Sequence, residues 1–96
     1  MQIIITKSKQ PDKKYDAIID DKKTISFGAK GYSDYTQHKN KDRKDSFVKR
    51  HKSNENWNDP KTAGFYAKNI LWNKTTIKDS IADINKRFKS LHIKMK

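Results

Sequence analysis

Residues 15–27 read YDAIIDDKKTISF, and this stretch decides the class of fold. Tyr15, Ala17 and Ile19 recur at every second position, as do Ile25 and Phe27. That period places side chains on one face of a β-strand. Asp20-Asp21 and the lysines after them form a polar turn, so the stretch predicts a β-hairpin of strands 15–19 and 24–27. Upstream, Gln2–Thr6 is rich in β-branched residues and predicts a third strand. Residues 8–14, with Pro11-Asp12, predict a loop, and Gly28 and Gly31 end the sheet pattern.

Downstream the pattern turns helical. Residues 40–54 contain neither Gly nor Pro and predict a helix starting near Asn40 or Asp42. Asp59-Pro60 predicts a second start, with Asp59 as N-cap and Pro60 in the first helical position, and this helix runs to about Trp72. Thr76, with Asp79 three residues on, predicts a third. Ile77, Ile81, Ile84, Phe88 and Leu91 follow at spacings of four and three, the clearest amphipathic stripe in the chain. Strands first and helices after predict an α+β fold: a small antiparallel sheet of two or three N-terminal strands packed with two or three C-terminal helices. Residues 1–96 are expected to form a single domain, ordered from about 13 to 91 and frayed at the ends.

Charge is the second strong signal. Lys and Arg number 23 against 11 Asp and Glu, a net charge of +12. Residues 1–30 hold 7 basic and 4 acidic groups, 31–72 hold 9 and 5, and 73–96 hold 7 and 2. Every third is positive, so the charge is not confined to a tail, and such a field concentrates polyanions. Nucleic acid is the expected partner, with DNA preferred to RNA. The candidate phosphate contacts are Lys13, Lys14, Lys22, Lys23, Lys39, Lys41, Arg43, Lys44, Lys49, Arg50, Lys86 and Lys89. No zinc finger, helix-turn-helix signature or RNA-recognition aromatic pair points to base-specific reading. Cysteine is absent, which excludes disulfides and thiolate metal sites. The apolar run Ile3–Ile5 is too short for a signal peptide or a membrane span, so no membrane partner is expected.

The middle of the chain, YSDYTQHKNKDRKDSFVKRHKSNENW over residues 32–57, needs its own account. Its predicted helix has only Phe47 and Val48 as apolar residues, so something else must hold it to the domain. One expectation is a polar network of Asp34, His38, Asp42, Arg43, Arg50, His51, Glu55 and Trp57, with the arginine forks paired to carboxylates. The other is an open face whose cations meet phosphates. His38, Asp42, His51 and Glu55 also stand at spacings compatible with metal ligation, but no diagnostic motif accompanies them. No metal, cofactor or catalytic residue is therefore expected. Trp57, Phe65 and Trp72 read as core, whereas Tyr32 and Tyr35, beside Lys30 and Lys39, read as candidate contacts. Gly64, inside a predicted helix, costs about 1 kcal/mol relative to Ala and suggests close approach of another element.

Ser33, Asp34, Thr36, His38, Asp42, Arg43, Arg50, His51, Glu55, Trp57, Thr62, Ala63, Gly64, Phe65, Leu71 and Trp72 carry a resemblance. Over roughly residues 14–89 the chain resembles a family of small uncharacterised proteins of nucleocytoplasmic large DNA viruses and some phages. Asn40 stands where an acidic residue is usual, and Thr75 where a proline is usual. The resemblance implies a viral origin and a setting in the virion or in the cytoplasm or nucleus of the infected cell. It implies no activity. The expected function is thus a non-enzymatic basic accessory protein that binds nucleic acid. A minor capsid or core protein, acting through capsid or core partners, is the alternative, and a metal-dependent nuclease is a minor one.

Overall fold

A computed structural model describes residues 1–52 and 57–96. The hairpin forms as the alternation predicts: β2 (Lys13–Ile19) pairs antiparallel with β3 (Lys23–Ala29), Ala17 facing Ile25 and Tyr15 facing Phe27. Asp20 and Asp21 take positive φ values of 50° and 59° in the turn, and Lys22 N–H donates to the Ile19 carbonyl at 2.9 Å. Two consecutive left-handed residues match the twist of a tight hairpin, and Asp tolerates that region better than most side chains. β1 (Gln2–Lys7) pairs antiparallel with the other edge of β2.

The fold is α+β, but the sheet differs from the expected one. A fourth strand, β4 (His92–Met95), pairs parallel with β1, so the sheet is mixed with order β3-β2-β1-β4. Both ends of the chain, expected to fray, are therefore strands, and β1 lies inside the sheet. A parallel neighbour needs a long crossover, which residues 30–91 supply. Four residues after a long helix are too few to carry a strand signal of their own.

Among the described residues, four helices fill that crossover: α1 (Tyr35–His38), α2 (Lys41–His51), α3 (Ala63–Tyr66) and α4 (Ile77–Arg87). A π-helical turn, Ala67–Leu71, continues α3. The start of α3 corrects the expected one. Thr62 is the N-cap, its Oγ1 accepting from Phe65 N–H at 3.2 Å, while Asp59 Oδ1 accepts from Lys61 N–H at 3.0 Å in the turn before it. Two caps compete within four residues, and the later one wins because Pro60 and Lys61 are used in the turn. α4 begins at Thr76 as expected, its Oγ1 accepting from Asp79 N–H at 3.1 Å.

The core lies on one face of the sheet. Ile3, Ile5, Ala17, Ile19, Ile25, Phe27 and Ile93 meet Phe65, Tyr66, Ile70, Leu71, Ile81, Ile84 and Leu91. Each large apolar side chain so buried contributes about 1.5–3 kcal/mol. Phe65 is core as expected, whereas Trp57 and Trp72 are half-buried. Gly28, with φ +80°, sits where a Cβ would lie 2.8 Å from Leu71 Cδ1, so only glycine lets β3 approach the π-helical turn this closely.

Asn85 on α4 finishes the β4 edge. Its Nδ2 donates to the Ile93 carbonyl and its Oδ1 accepts from Ile93 N–H, both at 2.9 Å. One amide side chain thus satisfies the outward backbone groups of an edge strand that could otherwise pair with another chain. Asn85→Ala should cost roughly 1–3 kcal/mol, because it leaves both groups unpaired. Urea denaturation will show the loss, and in hydrogen exchange the Ile93 amide should lose protection before those of β1 and β2.

Candidate nucleic-acid interface

α2 has no buried residue, so the question raised by its sequence is sharp in the structure. Its anchor is aromatic. Phe47 lies parallel to Trp72, with centroids 4.4 Å apart and planes 2° apart, and His51 stacks against Phe47, also at 4.4 Å. His38 packs on Trp72 at 5.3 Å, and Tyr35 meets His38 edge-on at 6.3 Å. Lys44 completes the anchor: Nζ donates to the Asn73 carbonyl at 2.7 Å and lies 5.0 Å from the centre of the Tyr35 ring. Lys44 is thereby used inside the molecule, and Tyr35, expected as a contact, is part of the same packing.

The first half of the motif ties α1 to the sheet. Asp34, 3% exposed, caps α1: Oδ1 accepts from Thr36 N–H at 2.9 Å and from the Thr36 hydroxyl. Gln37 Oε1 accepts from Asp34 N–H at 3.1 Å, closing a capping box. Lys14 Nζ, from β2, donates to Asp34 Oδ2 at 2.6 Å and to Gln37 Oε1 at 2.9 Å. The buried carboxylate therefore pairs with a lysine and not with the arginines of α2. Pairing with Arg43 or Arg50 was one of the two expectations, and sequence spacing could not reveal that β2 brings Lys14 to the carboxylate.

Asn40 caps α2, its Oδ1 accepting from Arg43 N–H at 3.2 Å, and its own N–H donates to His38 Nδ1 at 2.9 Å. An accepting Nδ1 assigns the His38 proton to Nε2. Burial, then the charge of Arg43, lowers the His38 pKa below the ordinary imidazole value; Asp34 opposes this and Lys14 adds to it.

Arg43 and Arg50 are exposed, and among the described residues neither forms an ion pair. They line adjoining clefts of about 340 and 300 Å³ that share Arg43, Arg50 and Trp72. The first of these shares Lys14, Tyr32, Ser33 and Asp34 with a larger cleft of about 630 Å³, whose rim adds Lys7 and Lys30. The three make one trough between the end of β3, the loop before α1, and α2. Lys7 and Trp72 joined it without having been singled out as contacts; Lys7 ends a strand and only the β1–β2 register carries it there.

The remaining expected residues lie elsewhere. Lys39, Lys41, Asp42 and Lys49 are exposed along or beside α2, with Asp42 at the edge of the smallest cleft. Lys13 is half-buried at the start of β2, Lys22 and Lys23 flank the β2–β3 turn, and Lys86 and Lys89 sit at the C-terminal end of α4. His51 is half-buried against Phe47. Glu55 and the expected helix end at Asn54 lie outside the described residues. The Trp57 backbone carbonyl takes part in a network that the sequence did not reveal. Asn69 in the π-helical turn donates to the Trp57 and Phe65 carbonyls, Arg87 donates to Asn69 and to Asp83, and Asn73 also donates to Asp83. Burial alone would raise the Asp83 pKa, but the hydrogen bonds from Asn73 and Arg87 outweigh it and hold the carboxyl low. Among the described residues, no three His, Cys, Asp or Glu side chains converge as metal ligands would.

A family profile matches residues 3–51, which run from β1 to the last residue of α2. The chain belongs to a family of unknown function, DUF5754. The DUF5754 match thus takes in the three-stranded meander, the Asp34 cap and the arginines of the trough, and stops before Trp72. No curated protein and no solved structure matches the chain.

The aromatic anchor predicts a stability effect. Burying and stacking one ring contributes about 2 kcal/mol, so Phe47→Ala should lower stability by about that amount, read from the urea midpoint, with Phe47→Leu falling between. His38 predicts a pH effect. Its folded-state pKa lies below that of the unfolded chain, so the unfolded chain binds the proton more tightly. The stability contributed by neutral His38 is complete above about pH 6.5 and is lost as pH falls through the lowered folded value. Urea midpoints between about pH 7.5 and 5 should decline, and His38→Gln should flatten that decline.

Proposed function

We propose that this protein is a small basic accessory protein that binds nucleic acid, DNA in the first instance, through sequence-independent phosphate contacts. The observation that carries the reading is the exposure of Arg43 and Arg50 in a trough whose rim also holds Lys7 and Lys30. Planar guanidinium forks grip phosphate oxygens bidentately, and concave walls of one charge sign strengthen the local field. Asp42 lies at the edge of the smallest cleft, whereas among the described residues Asp34 is the only carboxylate lining the two larger ones. Its charge is already met by Lys14, so it opposes an incoming phosphate little.

The proposal is non-enzymatic. His38, the histidine nearest the arginines, is occupied as a hydrogen-bond acceptor and as a packing surface for Trp72. His51 is packed on Phe47. These are scaffold roles, and they support binding over catalysis. The resemblance to proteins of large DNA viruses and phages supports a virion or infected-cell setting, in which a packaged or replicating genome would be the polyanion at hand.

Fluorescence anisotropy with labelled DNA tests the reading. Affinity should fall steeply with salt, because each neutralised phosphate releases counterions. Arg43→Ala combined with Arg50→Ala should reduce the slope of log K against log salt by about 2, whatever the DNA sequence. The corresponding pair at Lys22 and Lys23, outside the trough, should change it less. Affinity that ignores salt, or no affinity at low salt, would overturn the proposal.

A further inference from the structure

Tyr32 is 76% exposed, and among the described residues the only other exposed large hydrophobic side chain is Met95, at 45%. Its position is set by the backbone. Gly31 has φ +91° with open space around it, and Tyr32 N–H donates back to the Ala29 carbonyl at 3.4 Å. The chain turns outward at the end of β3, and the ring lines both larger clefts, at the place where they meet. Lys30 lines the larger of these clefts with it, and Arg43 and Arg50 line the other. An aromatic ring between two groups of cations is the pattern by which a strand is held, bases stacking while phosphates are tracked.

Resting on the nucleic-acid reading above, we infer that the trough takes a single strand, with a base stacked on Tyr32 and the flanking phosphates held by Lys30 on one side and Arg43 and Arg50 on the other. Two further features favour a single strand over a duplex. A duplex is read by an element that projects into its groove. The helix placed to do so, α2, directs Asp42 and Asp45 to solvent beside Lys49, and these carboxylates would meet phosphates. Lys30, Arg43 and Arg50 lie along a concavity instead, with Asp42 at its far edge, where a flexible strand can bend and a rigid duplex cannot follow. A single strand also leaves its bases free to meet Tyr32, whose π-face accepts any base and adds no sequence preference.

The test compares a labelled oligothymidylate of about 12 nucleotides, within the span one small domain covers, with a duplex of equal length at low salt. The single strand should bind the more tightly. Tyr32→Ala should weaken single-strand binding roughly five- to 150-fold, and Tyr32→Phe should restore it. The ring is exposed, so the variants should retain the parent far-UV spectrum. Duplex binding as tight as single-strand binding, or a Tyr32→Ala protein that binds the single strand like the parent, would overturn the inference while salt-sensitive binding left the wider reading standing. No binding to either would overturn both.

Discussion

Phe47 lies flat on Trp72, and the face of the protein that carries the arginines depends on that contact. α2 has no residue in the core, and isolated helices of its length are marginal in water. Its position relative to β3 is therefore fixed at an aromatic seam, running Tyr35, His38, Trp72, Phe47, His51, with the Lys44 bond to the Asn73 carbonyl beside it. Trp72 reaches the seam because the π-helical turn ends just before it, with Leu71 packed in the core and over Gly28. The sheet positions the turn, the turn positions the tryptophan, and the tryptophan positions the helix.

How legible this was depended on the range of the interaction. The hairpin, the Thr76 cap and the stripe from Ile77 to Ile84 are local patterns with fixed periods and stand where the sequence placed them, whereas α4 ends at Arg87 and leaves Phe88 and Leu91 of the expected stripe beyond it. β4 was hidden because a four-residue parallel strand depends on a partner some ninety positions away. The Thr62 cap was masked by a stronger dipeptide signal at Asp59-Pro60. In the site, the residue types were readable but not their pairing. Asp34 and the arginines were natural partners on charge, yet β2 brings Lys14 to the carboxylate. Aromatic docking was equally hidden, since Phe47 and Trp72 are 25 positions apart and neither spacing nor composition joins them.

Polar groups do much of the work that a larger core would otherwise do. Asp16 lies on the sheet face away from the helices, yet it is buried because Ser8, Ser26 and the Lys9 N–H all donate to it. Burial would raise its pKa, and these donors outweigh that effect and lower it. Asn85 closes a strand edge, Asn69 and Arg87 join α4 to the π-helical turn, and Lys44 holds the end of that turn to α2. Apart from Lys44, each device uses a short or forked polar side chain whose donors and acceptors find partners, the condition under which polar burial is tolerated.

The same economy sorts the cations. A lysine that holds the fold together is withdrawn from any partner: Lys14 has Asp34 and Gln37, Lys44 has a carbonyl and a ring, and Lys68 lies over Trp57 with its pKa lowered first by burial and then by Arg87 and Lys44. Those left to solvent fall into two kinds. Lys22, Lys23, Lys86 and Lys89 contribute to a diffuse positive field, which would attract a polyanion without orienting it. Arg43 and Arg50 are different, because the aromatic seam holds their helix against a wall that carries Tyr32. In the proposed reading, the net charge of +12 governs the encounter, whereas the geometry of the trough governs what is held afterwards. The first would survive rearrangement of the lysines, but the second requires Phe47 to stay on Trp72.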